Sequence, residues 1–251
     1  EHHWVTYGAT LRQIHDTVLP PEIARLLQRE TYTPKGAPLV ERVDAHLAAG
    51  TFDPAARELA AFWRQRRDEI RALLDRAAHL GRRLQATAPP QVLCHGDIHT
   101  WNLLIDTAGR LWIVDWDETV LAPRERDLMF VVGGLSTGLV KPHQEAWFFA
   151  GYGATTVDPL ALAYYRSSWA LGDIGEYGAQ ILSTPPAGPA TRRAALQGLI
   201  SCFQPGTIVA LAYQADRALP TTSTPPPAEP DRASDKKGSP HPADRPGGRH
   251  L

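Results

Sequence analysis

The sequence predicts an α+β fold that is mainly α, with one small β element near the middle of the chain. Long segments on both sides of that element place apolar residues at helical spacing, whereas short apolar runs separated by turn residues occur between positions 91 and 114. A length of 251 residues allows one large or two small domains. We expect a single helical domain over residues 1–217, followed by a segment of different composition.

Composition and charge exclude several classes of protein. Apolar residues make up 43% of the chain, charged residues 21%, and the formal net charge is −1. This balance gives no electrostatic reason to expect a nucleic-acid or membrane partner. The uncharged stretch 128–140 is too short to span a bilayer, so we expect a cytoplasmic protein. Cys94 and Cys202 provide neither a disulfide framework nor metal-ligand spacing.

The first ninety residues are predicted to be helical. Residues 7–18 place apolar side chains at helical spacing, and His15 shares their face. Asp53 is a suitable N-cap, and Pro54 then occupies the first helical position. From there an amphipathic pattern continues to Leu84, which indicates one long helix.

The predicted β element surrounds a polar loop. Residues 91–94 form a short apolar run that leads into the loop at 95–102. Residues 103–105 leave the loop as a second strand, 106–109 have turn chemistry, and 111–114 return as its partner. The sequence therefore predicts a hairpin that brings the residue after its second strand back beside the loop.

The polar loop carries a recognisable arrangement of functional groups. It reads His95-Gly96-Asp97-Ile98-His99-Thr100-Trp101-Asn102, and Asp115 ends the apolar run that follows. Phosphoryl-transfer enzymes of the protein-kinase type use an Asp to orient the substrate hydroxyl or accept its proton. They use an Asn and a second Asp to hold Mg²⁺ against the nucleotide phosphates. Asp97, Asn102 and Asp115 have suitable types and spacing for these three roles.

Two stretches resemble a known family. Residues 95–106 read HGDIHTWNLLID, and residues 111–131 read LWIVDWDETVLAPRERDLMFV. They resemble the aminoglycoside phosphotransferase family, and the second stretch is most similar to its spectinomycin phosphotransferase branch. The resemblance covers roughly residues 5–217 and is sharpest between 92 and 134. It implies that residues 1–217 form the C-terminal lobe of a protein-kinase-like fold, with the hairpin carrying the catalytic loop.

The resemblance also implies roles for individual residues. Asp97 would be the catalytic base, and Asn102 and Asp115 would be the metal ligands. His95 would brace the catalytic loop, and Asp127 would open a helix and brace the same loop. The implied cofactors are ATP or GTP together with Mg²⁺.

A kinase-type nucleotide site needs further parts, namely a Gly-rich loop and a strand Lys paired with a helix Glu. The Lys before residue 95 is Lys35, in a loop-like context. We therefore expect the family's N-terminal lobe to be missing, and apolar residues near Trp4, Tyr7 and Leu11 to be exposed. The glycines before residue 95 are too dispersed for such a loop: Gly8, Gly36, Gly50 and Gly81.

Acceptor recognition is expected on the helical side of the chain, over residues 142–217. A polyhydroxylated cation needs carboxylates near the transferred hydroxyl. An alternative for the 158–183 helix is an ordinary amphipathic face, with its aromatic residues in the core and its acids at the edge. Helices are predicted near 124–133, 142–152, 158–183, 190–203 and 206–217. Candidate acceptor-binding residues are His99, Asp117, Glu118, Tyr165, Trp169, Asp173 and Glu176.

Residues 218–251 are predicted to be disordered. Eight of these 34 residues are Pro, and most others are polar or charged. Such a segment buries too little apolar surface to offset the entropy of ordering it.

The leading functional hypothesis is ATP-dependent phosphorylation of a hydroxyl on a small cationic substrate of the aminoglycoside or aminocyclitol type. One alternative is a truncated, inactive homologue that keeps the motif without clamping ATP. Another is a metabolic small-molecule kinase that acts on an alcohol such as choline or homoserine. The sequence leaves the oligomeric state open.

Overall fold

A computed structural model of the chain describes residues 1–50, 53–183, 187–217 and 219. The described helices are α1 (His2–His15), α2 (Pro21–Ala24), α3 (Ala37–Ala48), α4 (Pro54–Thr87), α5 (Glu125–Leu128), α6 (Pro142–Tyr152), α7 (Pro159–Ile181), α8 (Pro189–Cys202) and α9 (Ile208–Arg217). The described strands are β1 (Gln28–Arg29), β2 (Val92–Cys94), β3 (Leu103–Ile105), β4 (Leu111–Ile113) and β5 (Val120–Ala122). The mainly helical α+β architecture agrees with the sequence prediction.

The predicted hairpin is confirmed. β3 and β4 pair antiparallel, with Leu103 opposite Ile113 and Ile105 opposite Leu111. The turn between them is closed by Asp106, whose Oδ1 accepts hydrogen bonds from the backbone N–H groups of Ala108 and Arg110, each at 2.9 Å. The turn chemistry read from the sequence therefore sets the register of the hairpin.

A second small sheet has the strand order β1-β5-β2. β2 was predicted, but β1 and β5 were not. β5 runs parallel to β1 and antiparallel to β2, with Leu93 opposite Leu121. All three residues of β5 are buried, so the strand shows no alternation of apolar and polar residues. Only pairing between distant segments identifies it as a strand.

Several helices agree closely with the predictions. The N-cap of α4 is formed as expected, since Asp53 Oδ1 accepts a hydrogen bond from the Ala56 N–H at 2.9 Å. Helices α6, α7, α8 and α9 begin and end within about two residues of the predicted bounds. α3 was missed, and its first turn contains Pro38 after a glycine.

Two helical predictions need correction. The helix predicted at 124–133 is helical only over α5, because the N–H groups of Phe130 and Val131 bond to carbonyls three residues back and form turns. The helix predicted at 7–18 is α1, which starts earlier and ends at His15. Val18 consequently lies beyond the helix and is 93% exposed rather than on its buried face.

The hydrophobic core is organised around α7. One buried cluster joins α1, α6, the end of α4 and the first half of α7. A second buried cluster joins α3, α4, α8, α9 and the second half of α7. Because α7 contributes to both clusters, packing on both sides fixes its position in the domain.

The expectation of exposed apolar residues near the start of the chain was wrong. Tyr7 and Leu11 are buried, and Trp4 packs against the same core. The cause is α6, which lies so close to α1 that a Cβ on Gly8 would fall 2.0 Å from the Phe148 carbonyl oxygen. This glycine allows the two helix backbones to touch.

Of the segment predicted to be disordered, only Leu219 lies within the described residues. It packs against the first core cluster, and its N–H donates to the Asp216 carbonyl at 3.0 Å. Among the described helices, none has the length and apolar character needed to cross a bilayer.

Candidate active site

Asp127 anchors the backbone of the loop at residues 95–102. This residue is fully buried in α5, and its Oδ2 accepts the His95 N–H at 2.8 Å while its Oδ1 accepts the Gly96 N–H at 2.8 Å. Charge-assisted hydrogen bonds to backbone amides are among the stronger polar contacts. The carboxylate therefore fixes the two residues immediately before Asp97.

Gly96 lets the loop turn sharply at this anchor. Its φ is +87°, and a Cβ at this position would lie 2.2 Å from the Glu118 carbonyl oxygen. An L side chain is disfavoured both by the backbone conformation and by this contact. The loop is thus packed directly against the segment that follows Asp115.

His95 connects the loop to the end of β4. Its Nδ1 accepts the Asp97 N–H at 3.2 Å, so its Nε2 carries the proton that is donated to the Val114 carbonyl at 3.0 Å. The ring also lies against Trp116, with centroids 4.7 Å apart. These contacts make His95 a buried link between the loop and the end of β4.

The side chain of Asp97 is partly fixed and partly free. Asn102 Nδ2 donates to the Asp97 carbonyl at 2.8 Å and to Asp97 Oδ2 at 3.3 Å, and His99 Nε2 lies 3.5 Å from the same Oδ2. Asp97 Oδ1 is buried and has no hydrogen-bond partner in the described part of the chain. Burial raises the pKa of Asp97, and the nearby charges of His99 and Arg126 oppose that rise.

Asn102 and Asp115 provide oxygen donors suited to Mg²⁺. The Val114 N–H donates to the Asn102 carbonyl at 3.0 Å, which ties the 3₁₀ turn at Thr100–Asn102 to the residue before Asp115. Asp115 is exposed and has a φ of +66°, so the chain turns there directly after β4. Its negative charge contributes to the raised pKa of Asp97. A divalent cation held by Asn102 and Asp115 would relieve this repulsion, so the donor set fits the metal.

A cavity of about 340 Å³ opens above Asp97. Most of the acceptor-binding candidates lie on its wall, including four residues of the predicted face of α7. Asp117 is the exception, since it is exposed on the segment after Asp115 and does not line this cavity. The lining residues are Glu30, Lys35, Gly36, Asp97, His99, Glu118, Arg126, Tyr164, Tyr165, Ser168, Trp169, Gly172, Asp173 and Glu176.

The acids of this cavity have different electrostatic environments. Burial, followed by the charges of Glu176 and Asp97, raises the pKa of Asp173 to about 7. Glu118 instead pairs with Lys35, whose Nζ lies 2.9 Å from Glu118 Oε2, and this contact lowers the pKa of Glu118. The charge of Glu118 is therefore balanced by Lys35. Within the described part of the chain the Asp173 carboxyl has no such partner, and it loses its proton only as the pH rises through about 7.

Several cavity residues were not anticipated. Arg126 places its guanidinium 5.5 Å from the ring centroid of Trp169 and 6.0 Å from that of Tyr165. Lys35 lies in a loop, as predicted, but nothing in the sequence indicated that it would line the cavity. Arg126 could have been suspected, because it directly precedes Asp127.

A second cavity, of about 450 Å³, adjoins the first. The two share His99, Trp169 and Asp173, and the second is otherwise mainly apolar, with Leu135 and Leu139 on its wall. Trp101 also lies on its wall and is 85% exposed. Its bulk therefore does not crowd the catalytic loop.

Comparison with known proteins identifies the family of this chain. A model of the phosphotransferase enzyme family, APH, matches residues 1–165, which is more than half of the chain. The chain belongs to this family. The resemblance read from residues 92–134 is thereby confirmed. No curated protein sequence matches the chain significantly.

Two solved structures are similar to this family member. Both are of the spectinomycin phosphotransferase APH(9)-Ia, one in complex with ADP and spectinomycin and the other bound to AMP. The first is 33% identical with a TM-score of 0.74, and the alignment covers 86% of this chain. The second is 35% identical with a TM-score of 0.70, and the alignment covers 84% of this chain.

In each case the chain spans 65% of the length of the solved structure. At this identity and TM-score, the likeness supports both the kinase-like fold and the similarity to the spectinomycin branch that residues 111–131 indicated.

Proposed function

We propose that this chain carries the catalytic loop and acceptor site of an ATP-dependent phosphotransferase that acts on a hydroxyl of an aminocyclitol or aminoglycoside. The observation that carries the proposal is the position of Asp97, which lies on the wall of a cavity that is also lined with acids and aromatic rings. The similarity to the spectinomycin-bound structure supports this choice of acceptor.

Asp97 would bind the acceptor hydroxyl through its carboxylate and orient the hydroxyl oxygen for attack on the terminal phosphate. The hydrogen bonds from Asn102 to the carbonyl and Oδ2 of Asp97 hold the carboxylate in place for this contact. Phosphoryl transfer depends mainly on such positioning and on stabilisation of charge, rather than on covalent chemistry by the protein. As the hydroxyl oxygen forms its bond to the γ-phosphorus, the bond from that phosphorus to the β,γ-bridging oxygen would break and ADP would leave, while the hydroxyl proton passes to Asp97.

Asn102 and Asp115 would hold Mg²⁺, which when bound neutralises charge on the nucleotide phosphates. Since Asn102 Nδ2 is engaged by Asp97, the side-chain oxygen of Asn102 is the atom that would face the cation. The nucleotide would be ATP, with GTP as the alternative. We place the reaction in the cytoplasm, where ATP is available.

The cavity suits a polyhydroxylated cation. Asp173 and Glu176 lie on the same face of α7 as Trp169, so carboxylates and an aromatic ring can meet the ammonium groups and apolar faces of one substrate. A small quaternary ammonium alcohol such as choline would need the faces of these rings, but Arg126 already lies over Trp169 and Tyr165. This arrangement favours the aminocyclitol over choline.

The test combines binding with turnover on the purified 251-residue chain. Calorimetric titration with spectinomycin measures the acceptor site alone, and Asp173→Asn together with Glu176→Gln should weaken binding by about tenfold or more. Coupled ADP release with ATP and Mg²⁺ then measures transfer to spectinomycin, other aminoglycosides, choline and homoserine. Asp75→Asn, an exposed change on α4, is the matched control for lost charge.

The outcomes separate the alternatives. Turnover with an aminocyclitol that Asp97→Ala abolishes would support the proposal, whereas preference for choline or homoserine would replace it with a metabolic kinase. Spectinomycin binding without turnover would support the acceptor site and indicate that this chain alone does not clamp the nucleotide. Absence of both would contradict the proposal.

A further inference from the structure

His15 is the last residue of α1, and both of its ring nitrogens take part in buried contacts. Its Nε2 lies 3.1 Å from Asp127 Oδ2, and its Nδ1 lies 2.7 Å from the hydroxyl of Tyr152. The side chains of His15 and Asp127 are only 3% and 0% exposed. Three helices, α1, α5 and α6, thus meet in one polar network under the catalytic loop.

The direction of each hydrogen bond follows from the chemistry of the groups. A carboxylate only accepts, so the Nε2 of His15 must carry the proton that faces Asp127. In the neutral ring Nδ1 is then an acceptor for the Tyr152 hydroxyl, and burial raises the pKa of Tyr152 to about 12, so that hydroxyl keeps its proton. The network therefore runs from Tyr152 through His15 to Asp127, with every donor facing an acceptor.

We propose that His15 is a positioning residue for the catalytic loop. Asp127 Oδ2 is shared between the His15 ring and the His95 N–H, and Oδ1 holds the Gly96 N–H. With the His15 donor in place, the carboxylate has one rotamer that satisfies all three donors. Without it, the carboxylate can rotate and the two amides before Asp97 lose their fixed acceptor.

A metal site at the same position is a weaker explanation. His15, Cys94 and Asp127 present ligand atoms within 4.8 Å of one another. However, both oxygens of Asp127 already accept hydrogen bonds, and the Cys94 thiol faces the carbonyls of Ala122 and Pro123 at 3.5 and 3.6 Å. Burial raises the pKa of that thiol, which opposes the thiolate a metal would need. The hydrogen-bond network accounts for all three side chains.

The test uses two amides of different length at position 15. In His15→Gln the side-chain N–H₂ can reach about as far as Nε2 and still donate to Asp127, whereas in His15→Asn it reaches only to about the place of Nδ1. The two variants lose the same ring and differ in the donor to Asp127. His46→Asn, at an exposed position of α3, is the control for the chemical change itself.

The first measurement is hydrogen exchange of the His95 and Gly96 amides in the full chain by NMR. We expect exchange to accelerate about tenfold in His15→Asn and to stay near the wild-type rate in His15→Gln and His46→Asn. Equal acceleration across core amides such as those of Leu59 and Trp63 would show general destabilisation and overturn the proposal. Unchanged exchange at both loop amides would overturn it as well.

The second measurement rests on the proposed function. The turnover number kcat for an aminocyclitol should fall about tenfold in His15→Asn with little change in the acceptor KM, because His15 does not line the cavity. His15→Gln should recover most of that loss. A rise in KM at constant kcat would contradict positioning. Absence of both spectinomycin binding and turnover in the wild type would count against the proposed function alone, since the exchange experiment needs no activity.

Discussion

Asn102 and Asp97 are joined by two hydrogen bonds from a single amide nitrogen. Asn102 Nδ2 donates to the backbone carbonyl of Asp97 at 2.8 Å and to its Oδ2 at 3.3 Å. The contact with the carbonyl fixes the backbone of Asp97. The contact with Oδ2 limits rotation of its carboxylate. The loop therefore holds the Asp97 side chain on the cavity wall before any substrate binds, which lowers the cost of positioning an acceptor.

Replacing Asp97 by Ala should lower kcat by roughly 10²–10⁴, the usual scale for a lost general base. Nucleotide affinity should change little, because the proposed cation ligands are Asn102 and Asp115. Steady-state kinetics in the protein form that turns over the acceptor gives the first value, and calorimetry gives the second. Wild-type kcat in Asp97→Ala would remove this residue from the mechanism.

Asp115→Asn should weaken Mg²⁺-dependent nucleotide binding more than Asn102→Ala does. Asp115 offers a full negative charge to the cation, and Asn102 offers only an amide dipole. Calorimetric titration with the Mg²⁺–nucleotide complex gives the order of the two affinities. The same titration without Mg²⁺ is the control, and the difference between variants should then disappear. Equal affinity of Asp115→Asn and wild type would reject Asp115 as a ligand.

Stability should fall as the pH rises through the raised pKa of Asp173. Burial first, and then Glu176 and Asp97, raise this pKa from 3.8 to about 7. Between these values the folded protein holds a proton that the unfolded chain has lost. The contribution is therefore fully present below about pH 4 and is lost as the pH rises to about 7, and the total loss is at most about 4 kcal/mol.

Asp173→Asn removes this titration. We expect it to unfold at a higher urea concentration than the wild type at pH 8, and at a similar concentration at pH 4. Urea unfolding followed by circular dichroism at both pH values measures the difference. Asp75→Asn, on the exposed face of α4, should show no such pH-dependent gain. Equal gains at pH 4 and pH 8 would refute the electrostatic origin.

Gly96→Ala should destabilise the fold more than Gly109→Ala. Both glycines have positive φ, +87° and +77°, so both substitutions carry the backbone cost of about 1 kcal/mol. Only at Gly96 does the new Cβ meet an atom, the Glu118 carbonyl oxygen at 2.2 Å, whereas Gly109 has open space. We expect an additional loss of about 1–3 kcal/mol in Gly96→Ala, measured by denaturant unfolding. Equal losses would show that the loop moves freely away from Glu118.

Much of the fold could be predicted because its signals are local. Each signal depends on residues only a few positions apart in the chain. Examples are the N-cap at Asp53, the turn residues at 106–109 and the apolar spacing along α7. The same reason explains the failures. β5 forms a strand only because two distant segments pair with it, and α5 stops early although its sequence would allow a longer helix.

The candidate site was predictable to the same extent. The spacing of Asp97, Asn102 and Asp115 reflects one loop and one hairpin, so the sequence could indicate all three. The Lys35–Glu118 ion pair joins residues 83 positions apart, and the contact of His15 with Asp127 joins residues 112 positions apart. At position 15 the sequence showed only a histidine at helical spacing.

By itself, the sequence determined the family, the loop and hairpin that carry Asp97, Asn102 and Asp115, and most helices, since each depends on residues that are neighbours along the chain. The tertiary structure decided which groups meet in the cavity, because that depends on how the core orients α7 towards Asp97. It also decided the electrostatics. The raised pKa of Asp173 comes from burial and from the charges of Glu176 and Asp97, and burial exists only once the helices have packed.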